Sequence, residues 1–262
     1  VWVHADGVVR PGIQATGTFK GFQGPIEIGQ AIDVLSRTGN PEAEPLLVKF
    51  LNIINPDAGK HACAGLATLG DARAVGPLLE VLQRKGADLQ PEAAQALAAF
   101  QDPRIVSPLI QALQSDNNSL RGAAAGALGH FHDARVVPAL VHSLTDEDSG
   151  VRLAAAKALG DLGDPAAVEP LGRVVKTYNE AVRALGKIKS PESVTVLIKT
   201  MDQEVASNPS STLAVECVQS LGTIKDPRAV EPLKKLLGKQ TMASQEAGRV
   251  LSEMGVSAEG KN

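Results

Sequence analysis

The sequence predicts an all-α fold, an α-solenoid of about seven helix pairs, and three periodic observations predict it. A polar anchor residue recurs at Asn40, Asp71, Asp102, Asp133, Asp164, Ser190 and Asp226, with spacings of 31, 31, 31, 31, 26 and 36 residues. Leucine stands five residues before every anchor, at Leu35, Leu66, Leu97, Leu128, Leu159, Leu185 and Leu221, and Leu251 continues the series. Nine residues before the anchor stands alanine, from Ala31 through Ala62, Ala93, Ala124, Ala155 and Ala181, until Cys217 takes the slot.

Each period holds two helices. The anchor is a helix-start signal: Asp or Asn accepts backbone N–H bonds, and proline often follows, as at Pro41, Pro103, Pro165 and Pro227. A second proline lies six residues past the anchor, at Pro77, Pro108, Pro170 and Pro232. It removes a helical hydrogen bond and is expected to bend the first helix. After a short turn comes the second helix, centred on "AAxAL", whose small side chains let neighbouring backbones approach. Helices of roughly 12 residues are marginal alone, so each pair must bury its apolar side on the next.

Two periods depart from the rule. The turn in "VVKTYNEAV" is expected to be short by about five residues. The next unit regains them through "DQEVASNPSSTL", whose Ser/Asn/Pro-rich centre reads as an extended loop.

Composition narrows the function classes. Hydrophobic residues make up 44% and charged residues 21%, an ordinary balance for a folded chain, and aromatics only 3%, so the core must be Ala, Leu, Val and Ile. A net charge of −3 argues against nucleic-acid binding, which needs clustered Lys and Arg, and disfavours a membrane surface. No apolar run approaches the roughly 18 residues of a membrane span. Cys63 and Cys217, the only cysteines, lie about five units apart, too far to bridge. They read as small hydrophobes and fit a reducing compartment. A cytoplasmic location is the expectation, and because the chain starts at Val1 rather than Met, a secreted or lipoprotein form is the alternative.

The phrase "VRLAAAKALGDLGDPAAVEPL" at 151–171, with its relatives along the chain, resembles the HEAT repeat, specifically the short HEAT-like repeats also found in phycobilin lyase subunits. The resemblance covers roughly residues 26 to 255. It implies a right-handed α-solenoid of about seven HEAT-like helix pairs, with the second helices lining a concave face. Residues 1–25, with five glycines and the only tryptophan, Trp2, fall outside the repeat and read as an atypical N-terminal cap or the remnant of an upstream segment. Residues 256–262 read as a frayed tail.

The slots three, seven and ten residues before each anchor follow helical spacing and escape the leucine stripe, so they are the solvent-facing positions of the second helices. The slots are small from Ala64 to Ala154 and carry mixed charges from Lys157 onward. The candidate partner-binding residues are His61, Glu92, Gln95, His130, Lys157, Arg183 and Lys187. The alternative for this face is a solvated surface with i,i+4 pairs such as Lys157–Asp161.

Catalytic and metal readings fare worse. His130 and His132 are two residues apart on one element and face different ways, and His61 lies about two units from His130. Neither pair can close a metal shell, so no metal and no cofactor is expected. Deoxyhypusine hydroxylase, built from similar repeats, takes its iron ligands from His-Glu pairs, and no His-Glu dipeptide occurs here. The repeated aspartates are helix caps rather than paired catalytic acids. The expected function is a non-catalytic scaffold or adaptor that binds a protein or peptide on its concave face. The alternatives are a structural module of a larger assembly and a phycobilin lyase-like subunit, which would work as a heterodimer on a bilin and a phycobiliprotein cysteine.

Overall fold

The structure is a computed structural model that describes residues 2–3, 9–10, 28–52, 55–84, 86 and 88–256. Most of the segment expected to be an N-terminal cap, and residues 257–262 of the expected tail, lie outside the described residues. Within the first segment, β1 (Trp2–Val3) and β2 (Val9–Arg10) form a short antiparallel ladder with Trp2 opposite Arg10. Every other described element is helical. The contacts group the chain into two compact units, Val1–Ala127 and Leu128–Asn262.

In the first unit, α1 (Ile28–Arg37) precedes the first anchor. The pairs α2 (Ala43–Phe50) with α3 (Pro56–Leu69), and α4 (Val75–Gln83) with α5 (Gln90–Leu97), follow it. Next come α6 (Val106–Ala112) and α7 (Asn118–Leu128), whose last residue falls in the second unit. The second unit continues with α8 (Val136–Ser143) and α9 (Ser149–Leu162), then α10 (Val168–Val174) and α11 (Asn179–Ile188). It ends with α12 (Pro191–Ser207) and α13 (Thr212–Ile224), then α14 (Val230–Lys234) and α15 (Met242–Glu253). That makes seven helix pairs among the described residues. Second helices pack on second helices, α1 on α3 on α5 in one unit and α9 on α11 on α13 on α15 in the other. First helices form the other layer, as with α4 on α6 and α10 on α12.

Each anchor does what its chemistry dictates. Asp71, Asp102, Asp164 and Asp226 accept the backbone N–H two residues on, starting a short 3-10 turn that passes into the α-helix. The expectation that the second proline bends the first helix is corrected: it does not stand in mid-helix. Pro77, Pro108, Pro170 and Pro232 are each the third α-helical residue, so the missing N–H belongs to a first turn whose donors have no helical acceptor anyway. They mark the junction of the 3-10 turn with the α-helix. Where Val196 replaces that proline, α12 runs as one α-helix from Pro191 for 17 residues.

The periodic slots form the core. The leucines five before the anchor are buried throughout, and a second set seven past it, from Leu47 to Leu233, has no exposed surface. Burying each such leucine contributes about 1.5–3 kcal/mol. Ala62, Ala93, Ala124, Ala155, Ala181 and Cys217 are equally inaccessible. Between second helices the approach is closer still. A Cβ on Gly160 would lie 2.8 Å from Ala184 Cα, and one on Gly222 would lie 2.8 Å from Val250 Cγ1.

The irregular periods resolve differently from the sequence expectation. The connection from α10 to α11 keeps four residues, 175–178, and the deficit falls on α11 itself, ten residues against 14 in α9. The expected extended loop is instead helix: α12 continues to Ser207, and only residues 208–211 link it to α13. Nothing in "DQEVAS" opposes helix formation, and helix propagation adds one hydrogen bond per residue fixed.

Two predictions follow from the helix packing and ends. Gly160→Ala forces backbone against backbone and is expected to cost about 1–3 kcal/mol, read as a lower urea midpoint. Second helices α3 and α9 close on Gly70 and Gly163 in the left-handed region, whereas α11 and α13 close on Lys189 and Lys225 with φ of 55° and 57°. Lys225→Gly removes the Cβ penalty there and is expected to stabilise the chain by about 0.5–1 kcal/mol in the same measurement.

Candidate functional site

Polar side chains on the second-helix layer are held by their neighbours across helices. In the first unit, His61 on α3 meets Asp33 on α1, Nδ1 to Oδ1 at 3.0 Å. Gly29 leaves the space its ring needs: a Cβ there would lie 2.6 Å from His61 Nε2. Glu92 on α5 lies 3.8 Å from Lys60 Nζ on α3. Its Oε2 is buried and has no hydrogen-bond partner. Gln95, one turn further along, is exposed.

In the second unit, His130 is exposed just past α7, and Lys157 is exposed on α9. Asp161 pairs with Lys187 on α11 at 2.7 Å, not with Lys157 four residues before it. Among the described residues Lys157 makes no ion pair. Arg183 bridges Glu180 on its own helix and Glu216 on α13, both at 3.2 Å. Asn179 donates to the same Glu216 oxygen at 3.1 Å, while Glu216 Oε2 is buried without a partner. On α15, Arg249 binds Glu246 at 2.6 Å and also Glu253. The sequence-derived residues therefore divide into two patches, His61, Glu92 and Gln95 on one unit and His130, Lys157, Arg183 and Lys187 on the other.

The sequence reading missed a second set of charges. Arg73, Arg104, Arg135 and Arg228, each two residues past an anchor aspartate, fold back onto it. Arg228 Nη2 lies 2.6 Å from Asp226 Oδ2 while its own backbone N–H caps Asp226 Oδ1 at 2.8 Å. Arg73 also donates to Pro41 O at 2.9 Å, tying one pair to the one before. The signal was the recurring Asp-x-Arg of "DAR" and "DPR". Asp164 lacks the arginine, with Ala166 in its place.

The site holds little reactive chemistry. Burial, helped by nearby Glu92, pushes the Cys63 thiol up to about 12, and burial with Glu204 and Glu216 does the same for Cys217. Both are neutral thiols at physiological pH and poor nucleophiles. Among the described residues no group of three or more His, Cys, Asp and Glu could hold a metal ion, and no helix is long and apolar enough to cross a membrane.

Paired short helices in two layers, with polar side chains spread over one layer, define an α-solenoid scaffold. The HEAT repeat family model matches residues 27–98, 51–125, 85–149 and 106–180, which together run over more than half of the chain. The chain belongs to the HEAT-repeat family. The model for the PBS lyase HEAT-like repeat matches residues 178–203 and 213–239 as well.

No curated protein matches the sequence. Among solved structures, the chain is similar to YibA of Escherichia coli, with 18% identity and a TM-score of 0.61 over 87% of this chain and 86% of that one. It is also similar to the complex of CpcE and CpcF of phycocyanin lyase from Nostoc sp., with 21% identity and a TM-score of 0.52 over 94% and 99%. An engineered protein shares 24% identity and a TM-score of 0.54 over 87% of this chain and 71% of that one. These likenesses bear on the fold.

The Asp-x-Arg forks set an acid response. The Arg135 and Arg228 hydrogen bonds hold Asp133 and Asp226 down at about 2, from an ordinary 3.8. A carboxylate depressed in the folded state contributes stability above its unfolded pKa, and that contribution is lost as pH falls through the folded value. The window here is pH 4 to about 2. Arg228→Met is expected to flatten the fall in urea midpoint across that window while leaving the neutral-pH slope unchanged.

Proposed function

We propose that this chain is a non-catalytic scaffold whose second-helix surface receives a protein or peptide segment, with His61, Glu92 and Gln95 as contacts on one unit and His130, Lys157, Arg183 and Lys187 on the other. The observation that carries the reading is the exposed polar face of the second helices, above all Lys157, which stands exposed on α9 and makes no ion pair among the described residues. The neighbouring ion pairs support it further: exposed pairs such as Asp161–Lys187 are weak, so a guest exchanges partners with them at little cost. Membership of the HEAT family fits a framework whose repeats serve as a binding surface.

A second reading, a phycobilin lyase-like subunit, draws on the matched PBS lyase HEAT-like repeats and on the likeness to the CpcE and CpcF complex. Aromatics at 3% of the chain offer few rings to stack on a flat tetrapyrrole. Mixing the chain with bilin and apo-phycobiliprotein separates the two readings, because pigment transfer would favour the lyase.

The scaffold reading is tested by affinity capture from the native cell with mass spectrometry, followed by titration of the captured partner. The double variant Arg183→Glu with Lys187→Glu is expected to weaken that partner at least about tenfold, as loss of contact residues at an interface does. Unchanged affinity in a folded variant would remove the second-helix surface from consideration.

A further inference from the structure

The other layer carries a groove at the irregular period. Between the first helices α10 and α12 lies a groove of about 690 Å³. Its floor is apolar, made by Val168, Gly172, Val175 and Val196, and Lys176 and Lys199 stand on its rim.

Two substitutions in the repeat pattern create it. Eight residues past the anchor the other units carry Val48, Leu79, Ile110, Val141, Ile198 and Lys234, and this unit alone has Gly172. Glycine inside a helix lowers its stability, so the site loses both a helix-favouring residue and an aliphatic side chain. Six past the next anchor, Val196 replaces the usual proline, and α12 outruns α10. A Cβ on Gly172 would lie 3.3 Å from Val196 Cγ1, in tight contact with the opposite wall. A side chain at 172 therefore enters the groove instead of solvent.

The rim charge selects the occupant. Glu169 is held by Arg173 at 2.6 Å, and Glu192, which also lines the groove, makes no ion pair among the described residues. Lys176 and Lys199 make no ion pair among the described residues either, which leaves two cations against one carboxylate beside an apolar floor.

We propose that this groove docks an acidic peptide segment of a protein partner, which places an aliphatic side chain over Gly172 and carboxylates against Lys176 and Lys199. The aliphatic group fills the volume that five other units fill from within with Val, Leu or Ile. The carboxylates supply steering and register, as charges at an interface rim do. This surface belongs to the first-helix layer and is separate from the second-helix patches.

The test selects 12-residue peptides from a random phage-displayed library on the full chain and measures the enriched peptides as synthetic probes by fluorescence anisotropy. The expected consensus is a Leu, Ile or Val flanked by Asp or Glu. Gly172→Leu, which restores the residue type of the other units, is expected to weaken the probe by about tenfold or more without lowering the melting temperature. Lys176→Glu with Lys199→Glu is expected to weaken it by roughly fivefold, and wild-type binding should fall with salt. The proposal is overturned if no peptide is enriched, if the consensus lacks the acidic-aliphatic pattern, or if Gly172→Leu leaves affinity unchanged. Binding of phosphatidylserine vesicles that Gly172→Leu abolishes would also overturn it, by assigning the groove to a membrane surface.

Discussion

The distance at which second helices meet governs the rest of the structure. Helices of 10 to 14 residues, such as α11 and α9, hold their shape through packing rather than by propensity. Packing at this range requires that backbone meet backbone, so side chains at the crossing must be nearly absent. Gly160 against Ala184, Gly186 against Ser220 and Gly222 against Val250 meet that requirement. The alanines nine before the anchor, wholly buried from Ala62 onward, extend the same contact along the helix. Large leucines then fill the space between the two layers. The low complexity of the sequence follows from crossings at which glycine stands on one helix so that the facing helix can approach.

Charged groups are arranged around this contact without driving it. The Asp-x-Arg forks are exposed at their arginines, and exposed ion pairs contribute little each. Their value is local order. The aspartate caps a 3-10 turn through one oxygen and holds the arginine through both, so the entry to each first helix is set by one side chain. On the second-helix layer, Arg183 and Lys187 reach acids on neighbouring helices, and these bonds join successive second helices, α9 to α11 and α11 to α13.

Variation in the repeat falls on helix length. The shortened α11 and the lengthened α12 adjoin each other, and their departures compensate in the period, 26 residues and then 36. The core slots survive both changes, since Leu185, Leu197 and Leu221 remain fully buried. A solenoid tolerates such changes because each pair contacts only its neighbours. One helix of each layer then differs in length while the second-helix contacts are preserved.

The number of helix pairs, their order and the identity of the buried leucines, alanines and caps were all legible in the sequence. Each depends on spacing along the chain, which a period of 31 residues displays directly. The fate of "DQEVASNPSSTL" was not, because a loop and an extra helical turn have similar compositions and packing chooses between them. Nor was the pairing of charges. Asp161 is four residues from Lys157, yet it bonds Lys187, 26 residues on. The sequence shows which side chains share a helix face. Only the tertiary structure decides which charge lies nearest, because that distance is set by how closely two helices approach and not by the number of residues between them.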